Sequence, residues 1–139
     1  MSALVCDTSC LFAFFDGHDP NHDSAAEAIS SEHGPFVVSP FVLAELDHLT
    51  LKRRGARLES EVLRELASSA WDLPAFEAVD LTAARAVIDD YMDQQIGVAD
   101  ASIVILAGRY KTDRIWTLDQ RHFRVLRTLA GGPFTLLPI

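Results

Sequence analysis

The chain has 139 residues, is 49% apolar and carries a formal net charge of −8. That length fits one domain, expected to span residues 1–139, and leaves no room for a second. The acidic balance argues against a passive polyanion binder, and no stretch approaches the roughly 20 uninterrupted apolar residues that cross a bilayer, so a cytoplasmic protein with no membrane partner is expected.

An apolar run at residues 3–6 is stopped by Asp7, and residues 11–15 continue apolar, which predicts a strand, a turn and a helix with Asp7 at the strand's C-terminal end. Cys6 and Cys10 have no further cysteine to complete a zinc or disulfide framework and read as small core residues. Asp19-Pro20 has the form of an N-cap followed by proline at the first helical position, and Gly34-Pro35 stops that helix. Residues 36–38 read as a strand. Ser39-Pro40 repeats the cap-plus-proline pattern and opens a helix to about Arg54, closed by Gly55.

Another helix is predicted over residues 58–70, then a short edge strand within 71–79, where Pro74 excludes a central position. Asp80 or Thr82 caps a helix running to Gln95. After Gly97, an apolar helix over 98–110 leads into a strand at 114–118. A helix at 120–129, a turn at 131–133 and a strand at 134–137 finish the chain. Strands and helices alternating at these lengths predict an α/β fold with a doubly wound, mainly parallel sheet.

Four acids stand on surfaces or at strand ends where charge has to be compensated. Glu45 shares a helix face with Phe41, Val42 and Leu49, since residues three and four apart are neighbours. Asp100 is the single charge in IGVADASIVILAG, with Ile103 and Val104 farther along its face and no basic residue within a turn. Asp7 closes ALVCD and Asp119 closes IWTLD, both at carboxyl ends of strands, beyond which ligands gather in an open parallel sheet where the strand order switches direction. An ionised carboxylate on an apolar face is costly unless a cation, hydrogen bonds or a metal offsets it. Ligands made only of oxygen suit a hard cation such as Mg2+, with Mn2+ as the alternative, and so favour metal-assisted phosphodiester cleavage. Each acid also has a plain structural use: Asp7 and Asp119 as helix caps, Asp100 beside a helix N-terminus, Glu45 at the edge of its stripe. Thr8, Ser9 and Thr117 stand beside these acids with hydroxyls able to orient carboxylates or waters.

Eleven of the twelve Lys and Arg residues fall in two windows, Lys52 to Arg64 and Arg109 to Arg127, with only Arg85 apart. Arg53, Arg54, Arg121 and Arg124 are the candidate phosphate contacts, against the alternative of solvated faces balanced by nearby acids. The group Asp16, His18, Asp19, His22 and Asp23 reads as a polar loop and cap, and His48 and His122 as surface histidines or RNA contacts.

The segments DTSCLFAFF, SPFVLAELDHL, GVADASIVILAGRY and WTLDQRHF together resemble the VapC-like PIN-domain proteins over essentially the whole chain. The resemblance implies a PIN-like three-layer α/β/α fold. It also implies a metal-dependent endoribonuclease whose acids fall on Asp7, Glu45, Asp100 and Asp119, with Asp7, Asp100 and Asp119 on the metal. Products ending in 5′-phosphate and 3′-hydroxyl are implied too, as are a homodimer and inhibition by a cognate VapB-like antitoxin. Some relatives carry a further acid after the late-helix Asp, where this chain has Ile103 and Val104, so a full second metal site is not expected. The alternative is a PIN scaffold without turnover, serving as an RNA- or protein-binding module.

Overall fold

The first apolar run forms β1 (Leu4–Cys6), and all three of its residues are fully buried. The structure, a computed structural model, describes residues 2–139. On one side of β1 lies β2 (Phe36–Val37), then β3 (Trp71–Asp72) at the edge; on the other lies β4 (Arg114–Trp116), then β5 (Thr135–Leu137). All the pairings in this sheet are parallel. A parallel strand covered by helices on both faces reads as a continuous apolar run, as LVC does here.

The order β3-β2-β1-β4-β5 means that the chain winds outward from β1 to one edge, returns, and winds outward to the other. Its direction therefore reverses between β1 and β4, and a crevice opens beyond their carboxyl ends. Cys6 pairs with Trp116, and the Asp7 amide donates to the Trp116 carbonyl at 2.9 Å. Asp7 and the residues after Trp116 are thereby set side by side at that crevice.

The helices follow the strands in a doubly wound, three-layer α/β/α arrangement: α1 (Thr8–Phe15), α2 (His22–Ser30), α3 (Pro40–Arg54), α4 (Ala56–Leu66), α5 (Ala78–Asp90), α6 (Val98–Arg109) and α7 (Arg121–Val125). Two of them position the site. Ser39 caps α3 by accepting from the Phe41 amide at 3.1 Å, with Pro40 in the first turn as expected. In α6 every residue from Ala101 to Ala107 is buried, which explains why its sequence is apolar all round. The buried hydroxyls of Ser39 and Ser102 meet at 2.7 Å and lock the start of α3 to α6. Among the described residues no helix is long and apolar enough to cross a membrane.

Several boundaries differ from the sequence expectation. Asp19-Pro20 does not start α2; the Asp19 carboxylate accepts from the Asn21 amide at 2.8 Å, holding a turn just ahead of a helix that opens at His22. The next helix begins at Ala56 and ends at Leu66, two residues earlier and four residues sooner than periodicity suggests. Glu77, neither Asp80 nor Thr82, occupies the cap of α5, while Asp80 reaches back to accept from the Glu77 amide at 2.8 Å. That helix stops at Asp90, and a 3-10 turn at Met92–Gln94 replaces its expected last turn. The last helix ends at Val125, because Leu126 is extended and Arg127 turns its guanidinium onto the carbonyls of Arg124, Val125 and Leu126.

Candidate active site

Asp7 stands at the end of β1 with extended backbone, as the N-cap of α1, and is only 6% exposed. Its Oδ1 accepts from the Thr8 amide at 2.8 Å and its Oδ2 from the Thr117 hydroxyl at 2.7 Å. Capping and a place at the crevice are thus the same position. Burial pushes its carboxyl up to about 6; the Thr117 and Thr8 hydrogen bonds oppose this, and the charges of Asp100 and Glu45 add to it.

Asp100 lies in the first turn of α6, half-buried, where Nδ1 of His122 contacts its Oδ2 at 2.8 Å. Its carboxyl is also raised, first by burial; the His122 contact opposes the rise, while Glu45 and Asp119 reinforce it. The four acids therefore share one electrostatic neighbourhood although they come from four separate elements. Asp119 sits exposed in the loop after β4 and does not cap α7, whose cap position is Gln120.

Glu45 departs from the reading of its helix. The buried residues of α3 are Val42, Leu46 and Thr50, so the core stripe runs one position round from the expected one and leaves Glu45 exposed. Among the described residues no Lys or Arg forms an ion pair with any of the four acids. Nor, among those residues, do three or more His, Cys, Asp and Glu side chains stand in a ready-made ligating group. The acids stand near one another beyond the carboxyl ends of β1 and β4 and do not make a closed cage. Mg2+ needs no cage, because it keeps several waters and takes one or two carboxylates plus substrate phosphate, so this set of hard oxygen donors fits it.

The neighbouring hydroxyls divide in role. Ser9 Oγ accepts from the Leu118 amide at 2.9 Å and the Asp119 amide at 3.3 Å, and lies 3.3 Å from the Thr117 hydroxyl, pinning the Asp119 loop to α1. Thr8 contributes its amide alone; its hydroxyl is buried with no partner among the described residues. Ser9→Ala is expected to leave two backbone donors without that acceptor and to cost about 1–2 kcal/mol in denaturant unfolding. Faster hydrogen exchange at Leu118 and Asp119 should accompany it, and unchanged exchange would show that the loop is held otherwise.

The candidate phosphate contacts also separate. Arg121 and Arg124 are exposed on α7, the helix that follows Asp119. Arg53 lies over the Phe12 ring at 5.6 Å. Arg54 is engaged by His18 at 2.7 Å and by the buried Asp16 at 3.7 Å, far along α3 from Glu45. His18 is therefore part of a bonded loop, as is His22, whose Nδ1 meets the Ala13 carbonyl at 2.8 Å. His122, expected as a surface histidine or RNA contact, is instead half-buried and bonded to Asp100, a pairing the sequence does not disclose because 22 positions separate them and no local pattern joins them.

The family model of the PIN domain matches residues 4–128. The chain belongs to the PIN-domain family. Within it the chain is VapC-like, being 47% identical over 135 residues to the ribonuclease VapC26 of Mycobacterium tuberculosis, an alignment covering 97% of this chain and 100% of that relative. The PIN fold is shared with the sarcin-ricin loop cleaving toxin VapC20 of M. tuberculosis at a TM-score of 0.80 and 18% identity, covering 86% of this chain and 92% of the other. It is also shared with a toxin–antitoxin complex from Klebsiella pneumoniae, at a TM-score of 0.68 and 17% identity over 87% of this chain and 90% of the other. VapBC2 from Rickettsia felis, bound to a DNA fragment from its promoter, matches at a TM-score of 0.69 and 16% identity over 96% of this chain and 98% of the other.

Proposed function

We propose that this PIN domain is a Mg2+-dependent endoribonuclease, the toxin of a toxin–antitoxin pair, and that a VapB-like antitoxin neutralises it. The observation that supports this reading is the mutual charge repulsion of Asp7, Glu45, Asp100 and Asp119 near the β1/β4 switch point, with no Lys or Arg paired to them among the described residues. Mutually repelling carboxylates, one of them buried, serve a fold poorly on their own account and a cation well.

Asp7, Asp100 and Asp119 would hold the metal, directly or through water, and Glu45 would complete the group or position the attacking water. When bound, Mg2+ supplies activation of that water and neutralises charge on the scissile phosphate. Thr117 and Ser9 keep Asp7 and the Asp119 loop in place. Arg121 and Arg124 contact RNA phosphates beside the acidic centre, with Arg53 farther out; Arg54, committed to Asp16, contributes least.

The 47% identity to a ribonuclease supports the chemistry. The toxin–antitoxin complexes among its structural relatives support the partner. Exposed Val79, Leu81 and Met92, on and just after α5, support a homodimer through the later helices. The setting for such a toxin is the cytoplasm, where its RNA substrates are.

Purified protein is expected to cleave RNA in Mg2+, with Mn2+ as a substitute, and to stop when EDTA is added. RNA bound without cleavage in either metal would overturn the reading in favour of a non-catalytic binding module.

A further inference from the structure

We infer that His122 is the positioning residue for Asp100, donating from Nδ1 to Oδ2 so that Oδ1 alone is offered to the cation. This rests on the metal site proposed above and adds to it a residue from outside the carboxylate set.

The contact is 2.8 Å, within the range of a charge-assisted hydrogen bond, and both side chains are about three-quarters or more withdrawn from solvent, at 23% and 21% exposed. An ionised carboxylate can only accept, so Nδ1 carries the hydrogen. Among the described residues no other side chain donates to Asp100, and none of their groups hydrogen-bonds to Oδ1.

An aspartate left to itself has a broad χ2 well and holds no fixed plane. Here the charges of Glu45 and Asp119 also push on it. A donor on one oxygen settles the plane and leaves a single oxygen for the metal, as near-octahedral Mg2+ coordination favours.

His122 is itself firmly held. The next residue, Phe123, is buried and packs edge-on against Phe134 with ring centroids 6.2 Å apart, and Leu126 is fully buried one turn on. The Leu126 amide closes that turn on the His122 carbonyl at 2.9 Å. The segment after β4 therefore fixes two acids at once: Asp119 through Ser9, and Asp100 through His122.

Two substitutions test this, His122→Leu, which keeps bulk and removes the donor, and His122→Asn, whose amide can donate from near the Nδ1 position. Calorimetric titration with Mn2+ alone should show affinity about 10- to 100-fold weaker in the leucine variant, the usual effect of losing a partner that orients a ligand. The asparagine variant should recover most of it. Melting in EDTA should fall by only a few degrees, about the loss of one hydrogen bond to a charged group, and both variants should remain folded. The Mg2+ concentration for half-maximal RNA cleavage should rise in the leucine variant while the rate at saturating Mg2+ returns toward normal.

If the unaltered protein binds no Mn2+ and cleaves nothing in Mg2+, the metal site fails and this inference with it. If the unaltered protein binds and cleaves but the leucine variant keeps full affinity, or asparagine restores none, only the role of His122 is overturned. Nitrogen-15 spectra of histidine in the unaltered protein decide the matter even if the leucine variant does not fold. A hydrogen on Nδ1 of His122 is expected, and a bare Nδ1 overturns the inference.

Discussion

Asp100→Asn is expected to lower RNA cleavage by orders of magnitude and to remove toxicity in cells, while the metal-free protein melts at the same temperature or higher. The substitution keeps shape and volume. Its amide oxygen can still accept from His122 Nδ1, which turns the NH2 group to the side where a cation needs an oxygen. Metal affinity therefore falls although the contact to α7 survives. Stability moves the other way, because burial together with the charges of Glu45 and Asp119 already disfavours an ionised Asp100. The opposing term is the loss of an acid in the first turn of α6, worth about 0.3–1 kcal/mol. Were Asp100 merely a helix-terminal acid, that loss would be the whole effect and cleavage would persist. Measuring the melting temperature with and without Mg2+ beside the cleavage rate separates the two, and full activity in the asparagine variant would sink the mechanism.

What the sequence discloses is unequal across the site. Asp7 was legible because a strand this short has its end marked by the first charge after an apolar run, and Asp100 because it is the one charge in an otherwise apolar helix. Glu45 was legible as an acid of interest but not as an exposed one. Its helix has apolar residues on several faces, so neighbours at three and four positions do not decide which stripe packs. The parallel sheet followed from alternation, whereas the strand order that makes β1 and β4 neighbours depends on long-range pairing. Ser9 could be placed near Asp7 but not under the amides of Leu118 and Asp119, and His122 could not be joined to Asp100 at all. Helix ends depart from what periodicity predicts where a side chain competes for the backbone, as Asp19 does before α2 and Arg127 does after α7.

Asp7→Asn should make the metal-free protein more stable near pH 7.5, by about 3 kcal/mol, and this advantage should vanish near pH 4. The direction follows from the carboxyl being raised from 3.8 to about 6 in the folded chain. Between those values the folded state still holds a proton that the unfolded state has released, so stability from this group falls as pH rises and is lowest above about 6. A shift of that size corresponds to roughly 3 kcal/mol. Asparagine does not titrate, and it keeps the local bonds: its oxygen can accept from the Thr8 amide, and its NH2 can donate to Thr117, whose hydroxyl accepts as well as donates. Glu32 and Asp80, whose carboxyls are held low by hydrogen bonds, from Arg114 and from the Glu77 amide respectively, lose stability as pH falls, but they do so equally in both proteins and cancel in the difference. Adding Mg2+ at pH 7.5 should raise the unaltered protein and leave the variant behind, since a cation that binds only the folded state stabilises it by mass action. Urea unfolding of both proteins in EDTA from pH 4 to pH 8, repeated in Mg2+, makes the comparison. A difference that stays flat with pH would mean that Asp7 is not a buried, strained carboxylate and would remove the electrostatic case for a cation at the end of β1.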